Sequence, residues 1–162
     1  MRRALEQDLA EIVAIYNSTI ASRQSTADTE EVSVAAKQGW FLQHHPEKTP
    51  LYVHEEEGRV VAWVSFQAFY GRPAYAHTAE ISLYIATKCR GKGLGKALLQ
   101  EALVLASKCE IKTLLAFIFS HNTTSIRLFL SQGFSEWGKL PHIAEMDGKE
   151  YNLSIFGKRL QS

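Results

Sequence analysis

The chain has 162 residues, enough to bury a sizeable core, and it reads as one domain spanning 1–162. Its 46% hydrophobic and 22% charged content is that of a globular protein and argues against disorder. A formal net charge of +1 excludes the broad positive field of a nucleic-acid or anionic-membrane binder, so any affinity for a polyanion has to come from a local arrangement. Cys89 and Cys109 form no CxxC and no zinc spacing, and no metal is expected. The N-terminal residues lack a signal-peptide core and no stretch is apolar for long enough to span a bilayer, so the expected compartment is a reducing cytoplasm.

In chain order, a first helix is expected from about Gln7-Asp8, capped by Asp8, with Leu9, Ile12, Val13, Ile15 and Tyr16 as its apolar stripe. Ser18 to Thr29 is polar and reads as a loop bordering a site. Val32 to His44 reads as a second helix, with His44-His45 at its surface end. The period then changes. Leu51–Glu55 and Arg59–Phe69 read as a hairpin around the Glu57-Gly58 turn. Tyr70-Gly71-Arg72-Pro73 interrupts the sheet. Thr78–Ile85 alternates, with Ile81, Leu83 and Ile85 on one face and Glu80, Ser82 and Tyr84 on the other. Lys96–Lys108 has helical spacing, and Thr113–Phe119 is apolar on both faces, as a buried central strand should be. Ser125–Gln132 is a short helix stopped by Gly133, and Trp137–Leu140 and Tyr151–Lys158 are two last strands around Asp147-Gly148. The order is mixed α/β.

The sharpest feature is Arg90-Gly91-Lys92-Gly93-Leu94-Gly95-Lys96, which follows a strand and opens a helix. Unpaired N–H groups and the positive end of a helix dipole converge there, glycines admit close backbone approach, and Arg90, Lys92 and Lys96 add local positive charge. The turn is therefore expected to bind an anion. A P-loop and a dinucleotide fingerprint both fail on spacing: each needs Gly at position 96, which is Lys.

With the strand Glu80–Ile85 before it and Asn122-Thr123-Thr124-Ser125 and Gly133-Phe134 after it, this turn resembles the acetyl-CoA motif of the GNAT acetyltransferase superfamily, fitted by Arg90, Gly93 and Gly95. Ile15-Tyr16-Asn17, Thr26-Ala27-Asp28, Gly138-Lys139-Leu140-Pro141 and above all Arg72-Pro73-Ala74-Tyr75-Ala76-His77-Thr78-Ala79-Glu80 resemble the phosphinothricin and methionine sulfoximine acetyltransferase subgroup over nearly the whole chain. The resemblance implies a GNAT-like fold: a twisted mixed sheet flanked by helices, whose central parallel strands, Glu80–Ile85 and Thr113–Phe119, splay apart around pantetheine. It further implies acetyl-CoA as cosubstrate, a small amino-acid-like amine as acceptor, and a homodimer.

On that reading the cofactor is bound by Leu83, Tyr84 and Ile85 through their backbone, by Arg90, Gly91, Lys92, Gly93, Leu94, Gly95 and Lys96 at the turn, and by Asn122, for which capping the next helix is the competing role. Glu80 takes the position of the general base and His77, just before it in the extended run, orients it or is merely structural. Arg72, Tyr75, Tyr70, Tyr16 and Thr26 are the candidates for holding the acceptor, with Asp28 beside Thr26; packing or surface roles compete for each. Members of the superfamily often carry a proton-donating Tyr in the helix after this Asn; here Phe129 can donate nothing, which throws weight on Glu80. Acetylation of a protein amine, or a non-catalytic acetyl-CoA-binding module, are the alternatives.

Overall fold

The computed structural model describes residues 1–160. Its elements are β1 (Arg2–Arg3), α1 (Leu9–Ile20), α2 (Val34–Leu42), β2 (Leu51–Glu56), β3 (Arg59–Ala68), β4 (Thr78–Ile85), α3 (Leu94–Ser107), β5 (Thr113–Phe119), α4 (Thr123–Ser131), β6 (Ser135–Met146) and β7 (Lys149–Arg159). One seven-stranded sheet runs in the order β1-β2-β3-β4-β5-β7-β6. Every neighbouring pair is antiparallel except β4 and β5, which run parallel. Both hairpin turns, Glu57-Gly58 and Asp147-Gly148, have positive φ at both residues, the backbone that a two-residue connection between right-twisted strands requires.

The sheet is covered on both faces. On one, Leu99, Ala102 and Ala106 of α3 and Phe129 of α4 pack on Phe66, Ile81, Leu114 and Ile118. On the other, Ile12 and Ile15 of α1 pack on Leu51, Val53, Val60 and Trp63, with Trp40 and Phe41 of α2 at the margin. Among the described residues no helix is long and apolar enough to cross a membrane.

β4 and β5 pair only at Thr78–Thr113, Ala79–Leu114 and Glu80–Leu115. Beyond that point β4 stays with β3 as far as Ile85, and β5 stays with β7 as far as Phe119. The two central strands therefore part company, as the resemblance implies, and the β5-facing edge of Ile81–Ile85 has no strand partner.

Several boundaries differ from the sequence reading. β1 is unexpected: two arginines carry no strand signal, and Arg2–Arg3 becomes a strand only by pairing with Tyr52 and Val53. α2 is shorter than 32–44 because Ser33 caps it, its Oγ accepting from Ala36 N–H at 3.0 Å. His44 is not a free surface end: its Nε2 lies 2.7 Å from the buried Ser65 Oγ, and its Nδ1 is 2.9 Å from the Trp40 carbonyl. α3 opens at Leu94, two residues before the first expected helical residue, and β6 extends to Met146.

Asp8 does not cap α1 with its side chain. Its carboxylate is buried, accepts from Leu5 N–H at 2.7 Å, and takes both guanidinium nitrogens of Arg2 at 2.8 and 2.9 Å. It thereby ties the N-terminal edge strand to the start of α1. The Arg2 bonds hold its pKa below the ordinary carboxylate value, against the opposing effect of burial. A depressed carboxylate stabilises the folded state above the unfolded-chain pKa and loses that contribution as pH falls through the folded one. We expect Asp8→Asn to cost about 1–3 kcal/mol near neutral pH, with the gap to wild type closing in acid. Urea titrations at neutral and acidic pH measure this directly; a gap that persists in acid would show that the loss is not electrostatic.

Candidate active site

The parting of β4 from β5 opens a cleft of about 420 Å³. Glu80 to Tyr84 form one wall, Ala116 to Phe119 the other, and Asn122, Ser125 and Phe129 close its far end. Residues Gln24 to Ala27 of the α1–α2 loop lie over it. That loop is tied to both limbs. Tyr84 Oη donates to the Ser25 carbonyl at 2.9 Å, while Asn122 Nδ2 donates to the Gln24 carbonyl at 3.2 Å. Arg23 reaches further, to Asp147 in the β6–β7 turn at 2.9 Å.

The turn at 90–96 lies where β4 hands over to α3. Gly91 and Gly93 have φ of +75° and +78°, and Gly93 is the residue before the helix proper. The N–H groups of residues 91–96 meet no acceptor among the described residues. A Cβ built on Gly91 or Gly93 would meet nothing within 4 Å, so it is the positive φ and not crowding that calls for glycine there. Such a set of donors at a helix start suits a phosphate or diphosphate. Gly95 serves packing instead. A Cβ there would sit 3.3 Å from both Ile85 Cδ1 and Leu128 Cδ2, so glycine lets α3 pack closely between β4 and α4. Arg90 spends its Nε on the Ile85 carbonyl at 3.0 Å, fixing the turn to the strand end. Lys92 and Lys96 remain exposed, as does Arg90, and Leu94 is half-buried.

Glu80 is half-buried on the cleft wall, and burial raises its pKa toward neutrality. That is the direction a general base for an ammonium substrate needs. Its neighbour across the sheet is Gln67. His77 does not join it. The two are three positions apart, an odd offset that does not bring two side chains to one face of a strand. The His77 ring is exposed, with Nδ1 2.9 Å from the Glu110 carbonyl, outside the cleft.

Asn122 lines the cleft but its amide is already engaged: Oδ1 accepts from Ser125 N–H at 3.2 Å, the capping role, and Nδ2 holds Gln24. Phe129 is buried against Phe134 and adds apolar surface beside Asn122 and Ser125 at this end of the cleft.

A second pocket, of about 200 Å³, opens on the α1–α2 side of β4. Ser82 and Tyr84 line both cavities, so the two meet along one strand. Its floor is Ser65, Gln67 and Ser82. Its walls are Tyr16, Trp40, Trp63 and Tyr84, and Lys37 of α2 reaches in. Trp63 stacks on Tyr84 with centroids 4.5 Å apart, and Trp63 Nε1 donates to the Ile12 carbonyl, which locks the wall. Tyr16 Oη donates to Asp28 and lies 2.5 Å from Thr26 Oγ1. Burial, then the Asp28 carboxylate, pushes the Tyr16 pKa up to about 12, and burial raises that of Tyr84 too, so both phenols are neutral donors.

Of the expected acceptor residues, Tyr16 and Thr26 thus border these cavities. Arg72, Tyr70 and Tyr75 do not: they lie exposed on the β3–β4 connection, where Tyr70 and Tyr75 cluster with Phe69. Lys37, Trp40, Ser65, Gln67 and Ser82 are not anticipated by the sequence reading. Gln67 alone has a usable signal, since the register of the hairpin with the next strand places it opposite Glu80.

The Acetyltransferase (GNAT) family model matches residues 11–134. Over 161 residues the chain is 57% identical to YwnH of Bacillus subtilis (strain 168), provisionally named a phosphinothricin acetyltransferase, covering 99% of this chain and 98% of that one. It is 29% identical to the L-methionine sulfoximine/L-methionine sulfone acetyltransferase of Salmonella typhimurium (strain LT2), covering 99% and 94%. A crystal structure of a GNAT superfamily phosphinothricin acetyltransferase from Sinorhizobium meliloti in complex with AcCoA superposes with a TM-score of 0.91 at 28% identity, covering 98% of this chain and 86% of that one. A parted parallel strand pair, a glycine turn with free amides and a family match across most of the chain agree: this protein is an N-acetyltransferase of the GNAT family.

Proposed function

We propose that the enzyme transfers acetyl from acetyl-CoA to the amine of a small amino-acid-like acceptor, of the phosphinothricin or methionine sulfoximine kind, in the cytoplasm. The observation that carries this reading is the junction of two cavities along β4, with Glu80 on the shared strand. The free amides of residues 91–96 and the charges of Lys92 and Lys96 would hold the diphosphate. The unpaired edge of Leu83, Tyr84 and Ile85 offers backbone groups to pantetheine, as a missing strand would.

Bound acetyl-CoA supplies an acyl carbon activated as a thioester: the acceptor nitrogen forms the C–N bond, the C–S bond breaks, and the sulfur departs with its electron pair. An amine resembling that of Lys titrates about three units above neutrality, so it needs a base. Glu80, raised by burial, takes that proton directly or through water. Backbone N–H groups at the open edge near Tyr84 or Ile85 receive the developing oxyanion without reorganisation. Phe129 provides no acid. A thiol with a pKa of about 8.5 can leave as the thiolate and take its proton from water. Homodimerisation is part of the same reading.

Thiol release with acetyl-CoA and a panel of amino acids, amines and peptides tests the whole. Release with amino-acid-like acceptors supports it; release only with peptides, or cofactor uptake with no release, would replace it. Glu80→Gln is expected to lower kcat by at least about tenfold near neutral pH. It should also abolish the rise of rate with pH that a titrating base gives, with acetyl-CoA affinity unchanged. An undiminished kcat, where chemistry limits turnover, would remove Glu80 as base. Gly93→Val is expected to raise the acetyl-CoA dissociation constant by at least about tenfold, because a β-branched residue resists φ of +78° and crowds the open face of the turn. Calorimetric titration reads this; wild-type affinity would place the diphosphate elsewhere.

A further inference from the structure

Two cavities meet at Ser82 and Tyr84, yet only two of the residues lining them carry a full charge: Glu80 in the cleft and Lys37 in the smaller pocket. Lys37 is half-buried, and among the described residues its ammonium forms no ion pair. It is instead held by aromatic faces, with Nζ 4.8 Å from the Tyr16 ring centroid and 5.5 Å from that of Trp40. A cation stationed over two rings is positioned by the quadrupoles beneath it while its outward N–H groups stay available. The rings do not neutralise it. An anion entering the pocket therefore finds a partner already oriented.

Resting on the acetyl-transfer reading above, we propose that Lys37 is the residue that selects for the α-carboxylate of the acceptor. The acceptor lies with its amine toward Glu80 and its carboxylate toward Lys37, its side chain against the wall that Trp40 and Trp63 form together, ring centroids 5.4 Å apart. The charge pattern across the two cavities then matches a zwitterion: one acid where the amine is deprotonated, one base where the carboxylate rests. Ser65, Gln67 and Ser82 supply hydrogen-bonding groups beside the two poles. Arg72, the expected carboxylate ligand, lies exposed on the β3–β4 connection, away from both cavities of its own chain. The pocket accordingly discriminates an amino acid from the simple amine with the same side chain.

The test compares L-methionine sulfone with its decarboxylated counterpart, 3-(methylsulfonyl)propylamine, as acceptors for wild type, Lys37→Met, Lys37→Arg and Arg72→Ala. Wild type should prefer the amino acid in kcat/KM. Lys37→Met should shrink that preference at least about tenfold, mainly through the acceptor KM, as expected when one partner of a charge pair in a pocket is lost. The KM for acetyl-CoA should not move, and Lys37→Arg should restore much of the preference. Met keeps the aliphatic path over the rings, so loss of packing cannot mimic this result. An unchanged preference in Lys37→Met overturns the assignment, as does a preference that collapses in Arg72→Ala instead. If wild type acetylates neither compound while peptides are acetylated, the acceptor reading itself fails and takes this inference with it.

Discussion

The structure turns on a hydrogen-bonding constraint: a parallel strand pair that stops pairing after three residues. A central sheet position is costly to leave open, because each unpaired N–H and C=O that is shielded from water forfeits stability. β4 and β5 tolerate it because each keeps a full antiparallel partner on its other side. The edge so exposed runs from Ile81 to Ile85, and it ends at the turn whose amides are also unpaired. A strand edge and a helix start, two places where backbone donors are ordinarily satisfied within the chain, are thus left open in succession along one path. An extended ligand with an amide-bearing arm and a diphosphate head satisfies both in order. On the reading proposed above, backbone geometry more than any side chain selects the cosubstrate.

The same parting sets the chemistry of Glu80. It is the last residue of β4 to have a partner on β5, Leu115, and so it stands at the fork. There it is shielded enough for burial to raise its pKa, yet it borders open cavity rather than packed core. A residue earlier in the strand would be locked between neighbours. The fork leaves the Glu80 carboxylate with its pKa raised by burial and still facing the cleft. Phe129 adds apolar surface at the opposite end of the cleft, beside the polar Asn122 and Ser125.

Much of this was legible in the sequence, for physical reasons. Strand and helix types followed from period: the alternation of Thr78–Ile85 and the two-sided apolar run of Thr113–Phe119 both appear with the expected bounds. The glycine turn was legible because backbone requirements restrict residue type. The acceptor side was not. Arg72, Tyr70 and Tyr75 attracted attention by residue type, but nothing in a local sequence window says that a connection folds away from the pocket. Lys37 and Trp40 gave no signal, since a lysine on a helix is ordinarily solvated, and only the packing of α2 against β3 brings them to the site. His44 shows the same limit: adjacent histidines read as a helix end, whereas a long-range contact with Ser65 defines one of them.

The α1–α2 loop joins cofactor cleft and acceptor pocket. Its carbonyls at Gln24 and Ser25 accept from Asn122 on the β5 limb and from Tyr84 on the β4 limb, while His121 Nε2 lies 2.8 Å from the Arg23 carbonyl. One short polar segment therefore bridges the fork and, through Thr26 and Asp28, also fixes Tyr16 beneath the Lys37 ammonium. Asn122 then acts less as a ligand than as a strut. Its two amide ends set the register between the start of α4 and the loop, so losing either end would loosen the cofactor cleft and the acceptor wall together. The cleft and the smaller pocket share this one bridge, and a change at either has a direct structural route to the other.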